Sequence, residues 1–127
     1  MAIRTELAVR LQNTPGAAAR ICQHLAVDHV NILAMQLEHN GLMRILVDNP
    51  LHAAGLLREQ RLQVETREVI YTVVPNDAGV LGRMAKLLAD SGVNVEYLYA
   101  TVVEGHTMAA VVIGVPDAVK AASLAGL

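Results

Sequence analysis

Val74-Pro75-Asn76-Asp77-Ala78-Gly79-Val80-Leu81 opens a stretch that closes with Ser91-Gly92-Val93-Asn94, and the fold follows from it. A β-branched strand runs into a polar turn, and the turn opens a helix. Asp77 is placed to be the N-cap, its carboxylate accepting from the first free amides. Gly79 keeps the first turn bare, so a small molecule can approach the backbone. Val80, Leu81, Met84, Leu87 and Leu88 recur at helical spacing and give one apolar face. Gly92 ends the helix as a left-handed residue, and Asn94 starts the next strand. The pattern is strand, loop, helix, strand, with a backbone-lined cup where the helix begins.

The same stretch occurs earlier in the chain. Shifted back by 63 positions, Leu11-Gln12-Asn13-Thr14-Pro15-Gly16 lies under Val74 to Gly79. Asn13 matches Asn76, Gly16 matches Gly79, Arg20 matches Arg83, and Val30-Asn31 matches Val93-Asn94. Thr14 replaces Asp77 as the expected N-cap, with Pro15 at the first helical position. His29 takes the place of Gly92, where a positive φ is uncommon but tolerated. An internal repeat fixes the architecture before any finer reading.

The rest of the chain fits two copies. Ile3 to Leu11 alternates as a strand, and the first helix runs to about Asp28. Asn31 to Glu38 and Leu42 to Val47 are strands joined by Asn40-Gly41, a two-residue turn in which both positions accept positive φ. Asp48 or Asn49 caps a short helix that starts at Pro50 and ends near Arg58. Leu62 to Thr66 and Val69 to Val74 are strands with no Gly or Pro between them. The second copy continues with strands over Asn94 to Val103 and Thr107 to Val115, then a helix over Pro116 to Ser123. Its last strand is mostly missing, because the chain ends first. The expected fold is α+β: two ferredoxin-like βαββαβ repeats, residues 1–66 and 67–127, antiparallel sheets with helices on one face. Each half of about 60 residues buries little core alone, so packed halves or a dimer are expected.

Composition narrows the function. A net charge of -2 and the absence of Phe and Trp argue against nucleic acid, which selects for basic surfaces and stacking aromatics. The only cysteine, Cys22, sits in a helical pattern, which excludes an internal disulfide and fits a reducing compartment. No signal peptide or bilayer-length apolar run is seen, so a cytoplasmic protein without membrane contact is expected.

Both halves resemble the ACT domain, a small regulatory module that binds amino acids. The resemblance rests on Asn76-Asp77-Ala78-Gly79-Val80-Leu81 and Gly92-Val93-Asn94-Val95, and on Asn13-Thr14-Pro15-Gly16 and Val30-Asn31-Ile32 in the first copy. Ala17-Ala18 and His29 depart from the pattern. The resemblance implies a ligand held where two modules meet, by the first loop of one and the start of the second strand of the other. It points to Asn13, Gly16 and Asn31, and to Asn76, Gly79 and Asn94, with Asp77 and Val80 beside them. The chemistry agrees: a helix N-terminus attracts a carboxylate, Asn both donates and accepts, and Asp77 can take the ammonium. Alone, each Asn is equally a turn residue bonding its own backbone.

No catalytic set stands out. Ser91 and Ser123 are isolated, and Asp90, Glu96 and Glu104 show no paired spacing. His24, His29, His39, His52 and His106 lack metal-ligand spacing, so neither metal nor cofactor is expected. Arg20 and Arg83 are read as solvated helix residues. Tyr97 and Tyr99 share one strand face and cover sheet core, a module contact or a ligand wall. The resulting expectation is a non-catalytic, homodimeric regulator that binds a free amino acid between modules and signals to a partner enzyme or regulator. The alternative is a regulatory subunit without a ligand of its own.

Overall fold

The computed structural model describes residues 2–126. The elements are β1 (Ala2–Arg10), α1 (Ala17–Val27), β2 (Ile32–Leu37), β3 (Leu42–Val47), α2 (Pro50–Glu59), β4 (Gln63–Pro75), α3 (Val80–Asp90), β5 (Tyr97–Thr101), β6 (Met108–Gly114) and α4 (Ala118–Ala125). They group into two compact units. The first is Thr5–Arg67; the second is Glu68–Leu127 together with the start of β1.

In the first unit the strand order is β2-β3-β1-β4. β3 runs antiparallel to both β1 and β2, with Leu7 opposite Ile45 and Met35 opposite Ile45 from the other side. Alternation puts Leu7, Val9, Met43, Ile45 and Val47 on one face. There they are buried with Ile21 and Leu25 of α1 and Ala53 and Leu57 of α2. Both helices therefore cover the same face of the sheet.

The second unit repeats this order as β1-β4-β6-β5. Ile70, Val111 and Ile113 pack with Met84 and Leu88 of α3 and Ala118, Ala121 and Ala122 of α4. Residues 2–4 of β1 belong to this unit and stand in the place of its missing last strand. Ile3 packs on the core of the unit, and the Arg4 guanidinium lies 5.2 Å from the Tyr71 ring centroid.

Several element ends differ from the sequence reading. β4 is one strand of 13 residues, where two were expected. Asn94 does not start β5, which begins at Tyr97. The Asn40-Gly41 turn is a three-residue loop: Glu38 N–H donates to Leu42 O at 2.9 Å, and among these residues only Gly41 has a positive φ. A G1-type bulge explains this, since it needs one left-handed residue instead of two. Helix α4 starts at Ala118, where Asp117 accepts from Lys120 N–H at 3.0 Å.

The helix starts are the largest correction. Neither Asp77 nor Thr14 is an N-cap, and Pro15 is not inside a helix. The caps are Gly79 and Gly16, left-handed at φ 87 and 84, with no side-chain cap bond. The positive φ explains it: glycine adopts it freely, so it turns the chain two residues later than the expected side-chain caps. The helix ends match in both copies. Val93 N–H reaches Leu88 O and Val30 N–H reaches Leu25 O, both at 2.9 Å, around left-handed Gly92 and His29.

Candidate functional site

The glycine caps leave amides open. In an α-helix the first N–H groups have no intrahelical acceptor. Here Ala17 N–H and Val80 N–H each find a loop carbonyl, those of Thr14 and Asp77, both at 3.3 Å. The next two amides, of Ala18 and Ala19 and of Leu81 and Gly82, receive no side-chain cap. A ligand carboxylate would find two donors and the positive end of the helix dipole.

In the first unit these amides face a cavity of about 200 Å³. Asn13, Gly16, Ala18 and Ala19 line one side, and Leu37, Glu38 and Gly41 of the β2–β3 hairpin line the other. The hairpin is held there by Leu11 N–H donating to Gly41 O at 2.8 Å. The approach is tight: a Cβ on Gly41 would lie 2.5 Å from Leu11 O. Glu38 also lines this cavity, with its carboxylate 3.5 Å from Arg44 Nε. Sequence reasoning missed Glu38. The Asn40-Gly41 turn signals a hairpin but not which loop it meets.

In the second unit Asn76 does the bracing. Its N–H donates to Thr107 O and its Nδ2 to His106 O, both at 2.9 Å. Its side-chain amide thus reaches a carbonyl of another loop and not its own backbone. Asp77 is exposed beside it.

Arg20 and Arg83 are exposed, as read from the sequence. Each folds back over the glycine of its own loop. A Cβ on Gly16 would lie 3.8 Å from Arg20 Nη1, and one on Gly79 would lie 3.2 Å from Arg83 Nη1. The i to i+4 spacing of glycine and arginine is the signal that could have shown this.

Asn31 and Asn94 lie elsewhere. Each stands beyond the far end of an eleven-residue helix, about 16 Å of rise from the loop glycine. Within one unit, no single amino acid spans both. Asn31 N–H donates to Asp48 Oδ1 at 3.0 Å. Asn94 lines a separate cavity of about 380 Å³ with Gly92, Asp117 and Lys120. Val80 is buried in the core and offers no side-chain contact to a ligand. Among the described residues, no three His, Cys, Asp or Glu side chains converge as metal ligands, and no helix is long and apolar enough to cross a membrane.

The family model of the AHAS small subunit-like ACT domain matches residues 70–124. Residues 70–124 thus match an ACT domain. The match covers α3, β5 and β6 and nearly all of α4, and the first unit repeats the same order of elements. Among solved structures, protein BT0572 from Bacteroides thetaiotaomicron is similar at 26% identity and TM-score 0.88, covering 96% of this chain and 85% of that one. The regulatory subunit of aspartate kinase from Thermus flavus is similar in fold, at 18% identity and TM-score 0.71, covering 98% and 90%. The corresponding subunit from Thermus thermophilus gives 17% identity and TM-score 0.66, covering 98% and 93%. No curated protein matches the sequence.

Proposed function

We propose that this chain is a non-catalytic ACT-domain regulator that binds a free amino acid at its loop–helix cups and signals to a partner enzyme. One observation carries the reading. Both units start their first helix on a left-handed glycine without a side-chain cap, under an arginine four residues on. Two amides and a guanidinium are a carboxylate receptor, and they occur twice. In the first unit Glu38 and Asn13 offer the complementary acceptors for the ammonium group.

The far placement of Asn31 and Asn94 means that a second module must supply any strand-start contact, and a homodimer would provide it. Binding that favours one arrangement of modules would pass the signal on. The matched family, described as small subunit-like, supports an enzyme as the partner.

Calorimetry of the full chain against the twenty amino acids tests the proposal. Saturable heat from one or a few is expected. Folded protein that gives no heat with any of them would leave only the ligand-free subunit reading. Capture of a partner with and without the active amino acid then tests the signalling.

A further inference from the structure

We propose that the groove between α1 and the α2–β4 connection of the first unit is a second binding site, one for a small organic phosphate. The groove encloses about 480 Å³. Ala17, Arg20, Ile21 and His24 line it from α1, the i, i+3, i+4, i+7 stripe of one helix face. Gln60, Arg61, Leu62 and Gln63 line it from the connection and the start of β4.

No carboxylate lines this groove, although the chain carries twelve acidic residues against ten basic ones. Neither Arg20 nor Arg61 has an ion-pair partner among the described residues. Three guanidiniums, those of Arg10, of Arg61 and of the Arg20 that also lies over Gly16, an imidazole and three glutamine amides, counting Gln12, therefore share one concavity. Guanidinium groups match phosphoryl oxygens bidentately and several at once, whereas one carboxylate occupies one fork. Ile21 and Leu62 give the groove an apolar floor, which suits the organic part of such a ligand.

Arg61 adds a second line of argument. It is the residue after the cap of α2, at φ 62, with its N–H on Arg58 O at 2.9 Å and Leu62 N–H on Leu57 O at 3.2 Å. Glycine is the residue suited to that conformation, and α3 and α4 do end on Gly92 and Gly126. Like His29 at the end of α1, Arg61 holds a positive φ that glycine would adopt at less cost, and it lines the groove.

That cost makes the test clean. Arg61→Gly removes the guanidinium and relaxes the backbone, so the variant is expected to melt no lower than the parent. Calorimetry of the full chain with inorganic pyrophosphate should show one saturable site per chain. Arg61→Gly and Arg20→Gln should each weaken it by about tenfold or more. Lys86→Gln, which removes the same charge from α3, should leave it unchanged. The proposal fails if pyrophosphate does not saturate at up to about 10 mM or if both arginine variants bind like the parent. It also fails if Lys86→Gln loses as much as they do, or if citrate at matched ionic strength binds more tightly than pyrophosphate.

Discussion

The ring of Tyr97 occupies the space that any side chain on Gly114 would need. The two are register partners across β5 and β6, and a Cβ on Gly114 would lie 2.2 Å from Tyr97 Cζ. Tyr97 also stacks on Tyr99, with centroids 6.4 Å apart and planes at 14°. Tyr71 and Tyr99 both pair with Val112, so all three tyrosines of the chain share the sheet face away from α3 and α4. An aromatic ring over a strand glycine restores packing that the glycine lacks. Gly114→Ala is predicted to displace the ring and lower stability by about 1–3 kcal/mol, read by urea unfolding and by the near-ultraviolet tyrosine signal. Gly82→Ala is the control. It lies inside α3 with nothing near its missing Cβ, and it should stabilise by about 0.5–1 kcal/mol. Equal effects of the two would remove the ring-over-glycine account.

The start of β1 completes the second unit, so losing it should be felt there first. Deleting residues 1–4 removes the end of β1 that belongs with the second-unit part of β4 and the Arg4 contact on Tyr71. Hydrogen exchange should then quicken along that part of β4 before it quickens in β3. Uniform loss of protection, or none, would contradict the assignment of these residues to the second unit.

Glu6 is fully buried, and Arg44 Nη1 lies 3.4 Å from its carboxylate and Arg44 Nε 3.5 Å from that of Glu38. Removing a guanidinium from a buried carboxylate costs about 3–5 kcal/mol, while replacing the whole pair with apolar groups costs far less. Arg44→Met is predicted to destabilise strongly in urea, and Glu6→Leu with Arg44→Met to recover most of the loss. An additive double variant would show that the two side chains are not coupled.

How much of this was legible beforehand depends on the range of the cause. The βαββα order, the two copies and the glycine and His29 helix ends come from local periodicity and backbone preference, and Gly92 and His29 do take positive φ. The misread caps were also local, but two local preferences compete there. Asp77 and Thr14 are good caps, and the left-handed freedom of Gly79 and Gly16 prevails. Other features are non-local and left no mark on the pattern. The pairing of residues 2–4 with a strand more than sixty positions away is one. The approach of Glu38 to the first loop is another. Asn94 misled because a strand-forming neighbourhood, Val93 and Val95, begins three residues before the ladder does.

The loop arginines give the sharpest test of the amino-acid reading. Arg83 and Arg20 each hold a guanidinium over the glycine that leaves two amides open. Arg83→Gln and Arg20→Gln keep side-chain length and an amide donor but remove the charge. A charge-assisted bond to a carboxylate is worth about 1.5–3 kcal/mol, so each variant should weaken the most exothermic amino acid by that order in calorimetry. Gly79→Ala meets a different obstacle. Its positive φ costs about 1–2 kcal/mol for a residue with a Cβ, and the methyl would press on Arg83 Nη1. We predict that it lowers both stability and binding, whereas the arginine variants lower binding alone. Asn76→Ala should fall between them, because Asn76 also braces the β5–β6 turn through His106 O, and loosening that turn should appear as faster exchange at the Asn76 amide. Arginine variants that bind every amino acid as the parent does would show that the guanidiniums only shield their glycines, and the carboxylate receptor would have to be sought elsewhere.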